Sequence, residues 1–293
     1  MTALDLVYNP VSGSFSAAHL ENLITALDAV GFVVTSMPTT AEGAELSLNA
    51  DLVCVHGGDG TLRDVVRALG DKAEKFPLCI APSGTINLVA RELGYSRRPQ
   101  KFARELAAAW KRGRESWVAA PLYRLGEMPI VSCLSIGPDS HAVARVSSKL
   151  KKRIGRYAYV AAMMQQMREW PRVPMKLRGT TTSGEDFSDE AEAVIVSNAA
   201  LYAGPFRLSP EAALHADSVE LISVSESTRL RITLLSVAAM LGLPVERFAK
   251  ARVRSCRRIE FDRCVTPVQV DGDHMPDCAY AIAPAGLCLR YVV

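Results

Sequence analysis

The sequence has no run of about 18 apolar residues, the length that a helix needs to cross a bilayer. A membrane-spanning helix is therefore not expected. Its first residues, Met1-Thr2-Ala3-Leu4-Asp5, lack the basic and apolar stretches of a signal peptide, so a cytoplasmic location is expected. Charge of one sign is not in large surplus either: 34 basic residues stand against 31 acidic ones, a net +3. That balance argues against nucleic-acid binding, and attraction to an anionic surface has to come from local clustering. Seven cysteines (Cys54, Cys79, Cys133, Cys256, Cys264, Cys278 and Cys288) contain no C-x-x-C pair. Their number is odd and several sit in apolar runs such as Leu52–Val55. They read as reduced core residues, not as disulfides or metal ligands. Internal repeats and low-complexity segments are also absent.

What is present is core material. Hydrophobic residues make up 49% of the 293, enough for one large domain or two ordinary ones. The first part alternates strand and helix patterns. Strands are expected at 4–8, 32–36, 51–56 and 78–82. Helices are expected at 17–30, 41–49, 62–69 and 87–93. This alternation predicts a mostly parallel sheet with helices on both faces, whose ligands sit at the carboxyl ends of the strands. From about Pro121 short alternating runs take over, at 122–125, 130–136, 175–178, 191–198, 218–224, 258–261 and 268–270. They predict an antiparallel β region interrupted by helices at 140–169, broken near Gly155, and 228–241. Residues 180–189 read as a hairpin tip. The expected architecture is α/β plus β: a Rossmann-like nucleotide-binding domain over residues 1–120 and an antiparallel β-sandwich domain over 121–283. The strand at 284–293 could return to the first.

Chemistry concentrates in three polar loops, each following an apolar strand. The strongest is Gly57-Gly58-Asp59-Gly60-Thr61. Its glycines permit close approach of a phosphate to backbone N–H groups, Thr61 offers a hydroxyl, and the next helix presents its N-terminus to an anion. A carboxylate in such a loop, Asp59, makes sense if it orders Mg²⁺ or its waters. The second loop is Pro82-Ser83-Gly84-Thr85-Ile86-Asn87. The third, Asn9-Pro10-Val11-Ser12-Gly13, is weak alone. Together they predict a composite phosphate site. Neither the Walker pattern G-x-x-x-x-G-K-[ST] nor the dinucleotide fingerprint G-x-G-x-x-G occurs.

These residues resemble the diacylglycerol kinase catalytic-domain family, which includes bacterial lipid kinases and the sphingosine kinases. The resemblance rests on Asn9-Pro10 with Gly13, Gly57–Thr61, and Gly84-Thr85-Ile86-Asn87 before Ala90-Arg91. Farther along it rests on Lys152–Arg156 with Tyr159, Asn198 with Tyr202-Ala203-Gly204, Leu208-Ser209-Pro210 with Asp217, and Val270-Asp271-Gly272-Asp273. It implies an ATP-dependent kinase acting on a lipid hydroxyl. ATP would meet Asn9, Thr39, Gly57, Gly58, Asp59, Gly60, Thr61, Gly84, Thr85 and Asn87, with Leu62, Arg63 and Asp64 flanking the phosphates. A structural Mg²⁺ would be held at Leu214, Asp217 and Val219. Asp273 would be the general base and Asp59 its catalytic companion, with Asp271 nearby as a second carboxylate.

Three positions depart from the family pattern: Leu88 where aspartate is frequent, Asp273 where glutamate is usual, and Ser218 in place of glycine. The basic cluster Lys149, Lys151, Lys152, Arg153 and Arg156 reads either as a solvated helix face or as a contact with anionic lipid headgroups at a membrane surface. His56 reads as a hydrogen-bonded strand-end residue. His141, His215 and His274 lack metal-ligand spacing, although His274 could tune Asp273. Trp110, Trp117 and Trp170 read as core or interface residues. A homodimer stays open. Two other readings compete: an NAD kinase, which shares the G-G-D-G-T loop, and a nucleotide-binding regulatory protein with weak transfer activity.

Overall fold

A computed structural model describes the chain except for residues 13, 146–170, 205, 266 and 276–278. The chain divides into two compact units, Met1–Leu122 with Gly286–Val293, and Tyr123–Ala285.

The first unit contains β1 (Thr2–Tyr8), α1 (Ala17–Ala29), β2 (Phe32–Pro38), β3 (Leu52–Gly57), α2 (Asp59–Leu69), β4 (Leu78–Pro82), α3 (Leu88–Glu92) and α4 (Pro99–Arg112). Its strands run in the order β4-β3-β1-β2 and every pairing is parallel, with Leu4 beside Leu52 and Val53 beside Leu78. β3 and β4 are buried along their whole length, which is why they read as unbroken apolar runs. Leu23 and Leu27 of α1 and Phe102 and Leu106 of α4 pack with Leu4, Leu6 and Leu52. Trp110 and Trp117 stack with ring centroids 5.3 Å apart.

β5 (Val118–Leu125) leads into the second unit, followed by β6 (Met128–Ile130), β7 (Cys133–Ile136), α5 (Pro138–Arg145), β8 (Met175–Thr181), β9 (Asp186–Ala191), β10 (Ala193–Ser197) and β11 (Val219–Val224). Then come α6 (Arg229–Leu241), α7 (Glu246–Ala249), β12 (Ala251–Val265), β13 (Val268–Val270), β14 (Asp273–Met275) and β15 (Ala279–Tyr291), whose end lies in the first unit, with Tyr291 parallel to Leu78 of β4. The strand β12 explains the architecture. Its first half pairs antiparallel with β11, and its second half pairs with β8 and β15 after a register shift. One layer is thus β14-β13-β7-β10-β11-β12, and the other collects β9, β8, β12, β15, β5 and β6. Leu134, Val196 and Leu221 from one layer meet Leu177, Ile259 and Ile282 from the other in a single core. A strand that changes layers is how a sandwich turns its corner.

Two expectations from the sequence fail here. Residues 41–49 form no helix. Thr40 and Gly43 close a turn on each other, Leu48 adopts a left-handed φ of 57°, and Ser47 donates both its N–H and its hydroxyl to Asp5 Oδ2. Side-chain bonds of this kind compete with helical ones. The run 130–136 is not one strand but two, because the N–H groups of Val131, Ser132 and Cys133 donate to Asp271. The 180–189 hairpin is present, with strands extending to Thr181 and from Asp186. Of the helix expected at 140–169, α5 covers the start, and the remainder lies outside the described residues. So do Gly13, Tyr159, Trp170, Cys278 and the whole basic cluster from Lys149 to Arg156. Among the described cysteines, Cys54, Cys79, Cys133 and Cys256 are buried thiols and Cys288 is half-buried. Among the described residues no helix is long and apolar enough to cross a membrane.

Candidate functional site

The carboxyl ends of β1, β3 and β4 carry the three loops, and hydrogen bonds tie them together. Ser14, at the end of the first loop, donates its hydroxyl to the carbonyl of Ser83. The N–H groups of Ser83 and Gly84 both donate to Gly57 O, at 3.1 and 3.2 Å. Asn9 Oδ1 accepts from Val11 N at 3.0 Å, folding the first loop back on itself. Thr39 N donates to Tyr8 O at 2.8 Å, so Thr39 stands beside the end of β1.

The glycines are needed because the loops touch through backbone. A methyl group on Gly84 would lie 2.6 Å from Gly58 Cα and 2.5 Å from Asn87 Oδ1. One on Gly57 would lie 2.5 Å from the Thr61 side chain. Asn87 adopts a left-handed φ of 55°, donates Nδ2 to Gly84 O at 2.6 Å, and keeps a buried Oδ1 without a hydrogen-bond partner.

The motif Gly57–Thr61 is less of a loop than its sequence suggests. α2 begins at Asp59, so Gly60 and Thr61 belong to its first turn and Leu62, Arg63 and Asp64 to its body. Leu62 is buried in the interior, and Arg63 is buried with its guanidinium 3.4 Å from Asp64 Oδ1. The Leu62 side chain therefore cannot flank a phosphate. Gly58 caps α2 without a side-chain bond, so the helix end presents backbone N–H groups, as an anion site requires.

Asp59 has a role that its sequence position did not announce. Its Oδ2 accepts from Leu88 N at 2.8 Å and its Oδ1 from Val89 N at 3.0 Å. It caps α3 from 29 residues away and latches the second loop to the first. Leu88, the departure from the family pattern, is a buried residue at the start of α3.

His56 sits just before the glycines with Nδ1 3.2 Å from Ala81 O and its ring stacked on His19 at 5.4 Å. Burial pushes its pKa down to about 4, outweighing the bond to Ala81, so it stays neutral.

In the second unit, Val270-Asp271-Gly272-Asp273 is a two-residue hairpin with left-handed φ values of 52° at Asp271 and 88° at Gly272. This is the turn that joins antiparallel strands with their natural twist. Asp271 is buried and accepts from Val131 N, Ser132 N, Ser132 Oγ and Cys133 N at 2.7 to 3.2 Å. A carboxylate so fully engaged is a clamp, which corrects its reading as a second carboxylate for chemistry. Asp273 opens β14 and is half-buried, while His274 is exposed and on the opposite side of the strand, so the expected tuning of Asp273 by His274 finds no geometric support.

Leu214, Asp217 and Val219 share one stretch running into β11, with Asp217 exposed. The carbonyl of Asp217 accepts from Tyr123 Oη at 3.0 Å. Burial raises the Tyr123 pKa to about 12.

A second buried polar group was not anticipated. Asp139 Oδ2 accepts from Ser135 Oγ and Tyr202 Oη, both at 2.6 Å. Burial first, and then the Asp139 charge, hold the Tyr202 phenol well above its ordinary pKa. Asn198 donates its backbone N–H to Ser132 O and Nδ2 to Ile130 O, bracing from the other side the segment that Asp271 clamps.

A sequence model described as "Diacylglycerol kinase catalytic domain" matches residues 3–115, and one described as "YegS C-terminal NAD kinase beta sandwich-like domain" matches residues 132–290. The chain belongs to the diacylglycerol kinase catalytic-domain family. A diacylglycerol kinase of Bacillus subtilis is 24% identical over 248 residues, covering 81% of this chain and 78% of the relative. One from Staphylococcus carnosus is 21% identical over 279 residues, covering 92% and 88%. Among solved structures, a putative diacylglycerol kinase from Bacillus anthracis superimposes with a TM-score of 0.75 at 19% identity, over 99% of this chain and 95% of that one. The match covers both units and bears out the α/β plus β-sandwich architecture.

Family membership makes a kinase the coarse reading of the chain, and it sharpens the test of fit for what a kinase needs. The glycine cradle and the α2 terminus, which no side chain caps, fit an anion such as a phosphate, whereas the unpartnered Asn87 Oδ1 is an acceptor and calls for a donor. Arg97, which sequence reasoning missed, adds a cation by donating to Gly84 O at 3.1 Å. For a resident metal the fit is poorer. Among the described residues no group of three or more His, Cys, Asp or Glu is placed to hold one, and both Asp59 oxygens accept backbone N–H groups.

Proposed function

We propose that this protein transfers the γ-phosphate of ATP to a lipid hydroxyl. The observation carrying the reading is the junction of three loops at the carboxyl ends of β1, β3 and β4, where Gly58 and Gly84 approach backbone to backbone. In this reading the N–H groups around Gly58, Gly60 and Gly84 bind the phosphates. Thr61 and Thr85 supply hydroxyls, and Asn9 and Thr39 hold the ribose side. Asp59 positions the second loop through Leu88 and Val89.

Phosphoryl transfer depends on positioning and charge neutralisation more than on covalent chemistry. Mg²⁺ bound with the nucleotide would supply neutralisation of the transferred charge. A structural Mg²⁺ at Leu214, Asp217 and Val219 would have one side-chain carboxylate, that of Asp217, and otherwise backbone carbonyls, of which the Asp217 carbonyl already accepts from Tyr123 Oη. Asp273 takes the proton of the attacking hydroxyl, a role that needs an approach within about 3 Å. Diacylglycerol is the acceptor named for the relatives, and it is the first acceptor to try here. The lipid would be met at a membrane surface by peripheral contact.

The test is a labelled-ATP assay over a total lipid extract, with NAD in a parallel reaction and products identified by mass. A labelled lipid supports the reading. Label on NAD alone would replace it with an NAD kinase, and ATP binding without transfer to any acceptor would favour a regulatory protein.

A further inference from the structure

The helix α6 is mostly apolar. Between Arg231 and its end at Leu241 it carries no charge. Leu235, Ala238 and Ala239 are buried against the second unit, yet Leu230 is 69% exposed and Leu241 62% exposed. Leu230, Val237 and Leu241 follow one another at spacings of seven and four, so they form one stripe along the outer face. Met240 on the same helix and Leu243 and Phe248 just after it in the chain are exposed as well. Arg229, Thr233 and Ser236 share a separate, polar stripe, so the apolar stripe is a distinct face, and a contiguous exposed apolar patch marks a contact surface.

The margin of the patch shows what chemistry would cover it. Arg229, Arg247 and Lys250 are exposed around it, and Arg207 is held against the helix by its N–H bond to Ala239 O. Two carboxylates interrupt this rim: Glu226, which pairs with Arg231 and Lys250, and the exposed Glu246. Apolar side chains rimmed mainly by cations match the order of a bilayer surface, with acyl chains beneath anionic headgroups.

We infer that the outer face of α6, together with Leu243 and Phe248, is the surface by which this protein docks on an anionic phospholipid bilayer. The inference rests on the lipid-kinase reading for its purpose but not for its geometry. The stripe enters the acyl boundary, and Arg207, Arg229, Arg247 and Lys250 stay at headgroup level.

Flotation of the full chain with phosphatidylcholine vesicles, with and without phosphatidylglycerol and in the absence of ATP, tests it. The wild type floats with the anionic vesicles, and salt weakens the association. Leu230→Gln with Leu241→Gln lowers partitioning roughly tenfold or more without shifting the melting temperature, since both side chains are already exposed. Arg247→Gln with Lys250→Gln removes the preference for phosphatidylglycerol. Should any variant fold poorly, Leu241→Trp still reports, because brominated lipid quenches it more than it quenches the wild type, with its own Trp110, Trp117 and Trp170, only if the stripe is immersed. Wild-type protein that stays off anionic vesicles overturns the inference. So do variants that bind like the wild type, and so does a dimer, seen by light scattering, that Leu241→Gln dissociates. Vesicle binding without lipid phosphorylation leaves the surface standing and removes the kinase reading. Phosphorylation of a detergent-dispersed lipid by a protein that ignores vesicles does the reverse.

Discussion

Asp59 in the first unit and Asp271 in the second are both buried aspartates inside family signatures, and both accept backbone N–H groups from distant segments. Asp59 takes two, from Leu88 and Val89. Asp271 takes three and a hydroxyl, from Val131 to Cys133. Two residues after Asp271, Asp273 is half-buried at the start of β14. The comparison teaches that a carboxylate in a signature motif is not by that fact a chemical group. Asp59 and Asp271 hold backbone segments in place.

The largest effect should come from the more heavily bonded clamp. Asp271→Ala leaves three buried N–H groups without their acceptor, and should destabilise the protein by about 4 kcal/mol, read by chemical denaturation. A loss below about 1 kcal/mol would break the comparison on that side. Asp59→Ala removes two such bonds and a helix cap, for about 2 to 3 kcal/mol. It should also weaken ATP binding, measured by calorimetry, because the second loop loses its latch. Unchanged affinity would return Asp59 to the role read from its sequence alone.

The first unit carries an acid sensitivity of its own. The folded pKa of His56, about 4, lies below its ordinary 6.5, so the unfolded chain binds the extra proton first. Its contribution is complete above about pH 6.5 and declines as pH falls toward 4, costing about 2 kcal/mol by pH 5. His56→Gln should flatten that part of the stability profile. An unaltered profile would show that the buried ring is protonated without penalty. Gly84→Ala acts on the loop contact itself. Its methyl meets the Gly58 backbone and Asn87, so ATP affinity should fall with a stability loss of about 1 to 3 kcal/mol. Wild-type affinity in this variant would show that the close approach of the loops is dispensable.

Much of this was legible in the sequence. The apolar runs Leu52–Gly57 and Leu78–Pro82 read as strands because both faces are buried, and the glycine loops fell at their ends. The two-domain architecture also followed from the switch in pattern near Pro121. What could not be read was governed by distant partners. No local pattern reports that Asp59 caps a helix 29 residues on, or that Asp271 breaks the run 130–136 from far along the chain. Nor could it show that Asp139 gathers Ser135 and Tyr202. The missed turn at 41–49 has the same cause, since Asp5 reaches across from β1 to Ser47.

The proposed role of Asp273 as the base, set against the bonded Asp59 and Asp271, is tested most directly by Asp273→Asn. ATP affinity and transfer to diacylglycerol should be measured on the same preparation. ATP affinity and melting temperature should match the wild type, with turnover reduced by about 10²- to 10⁴-fold. Full turnover, or a loss of folding in step with activity, would contradict that role.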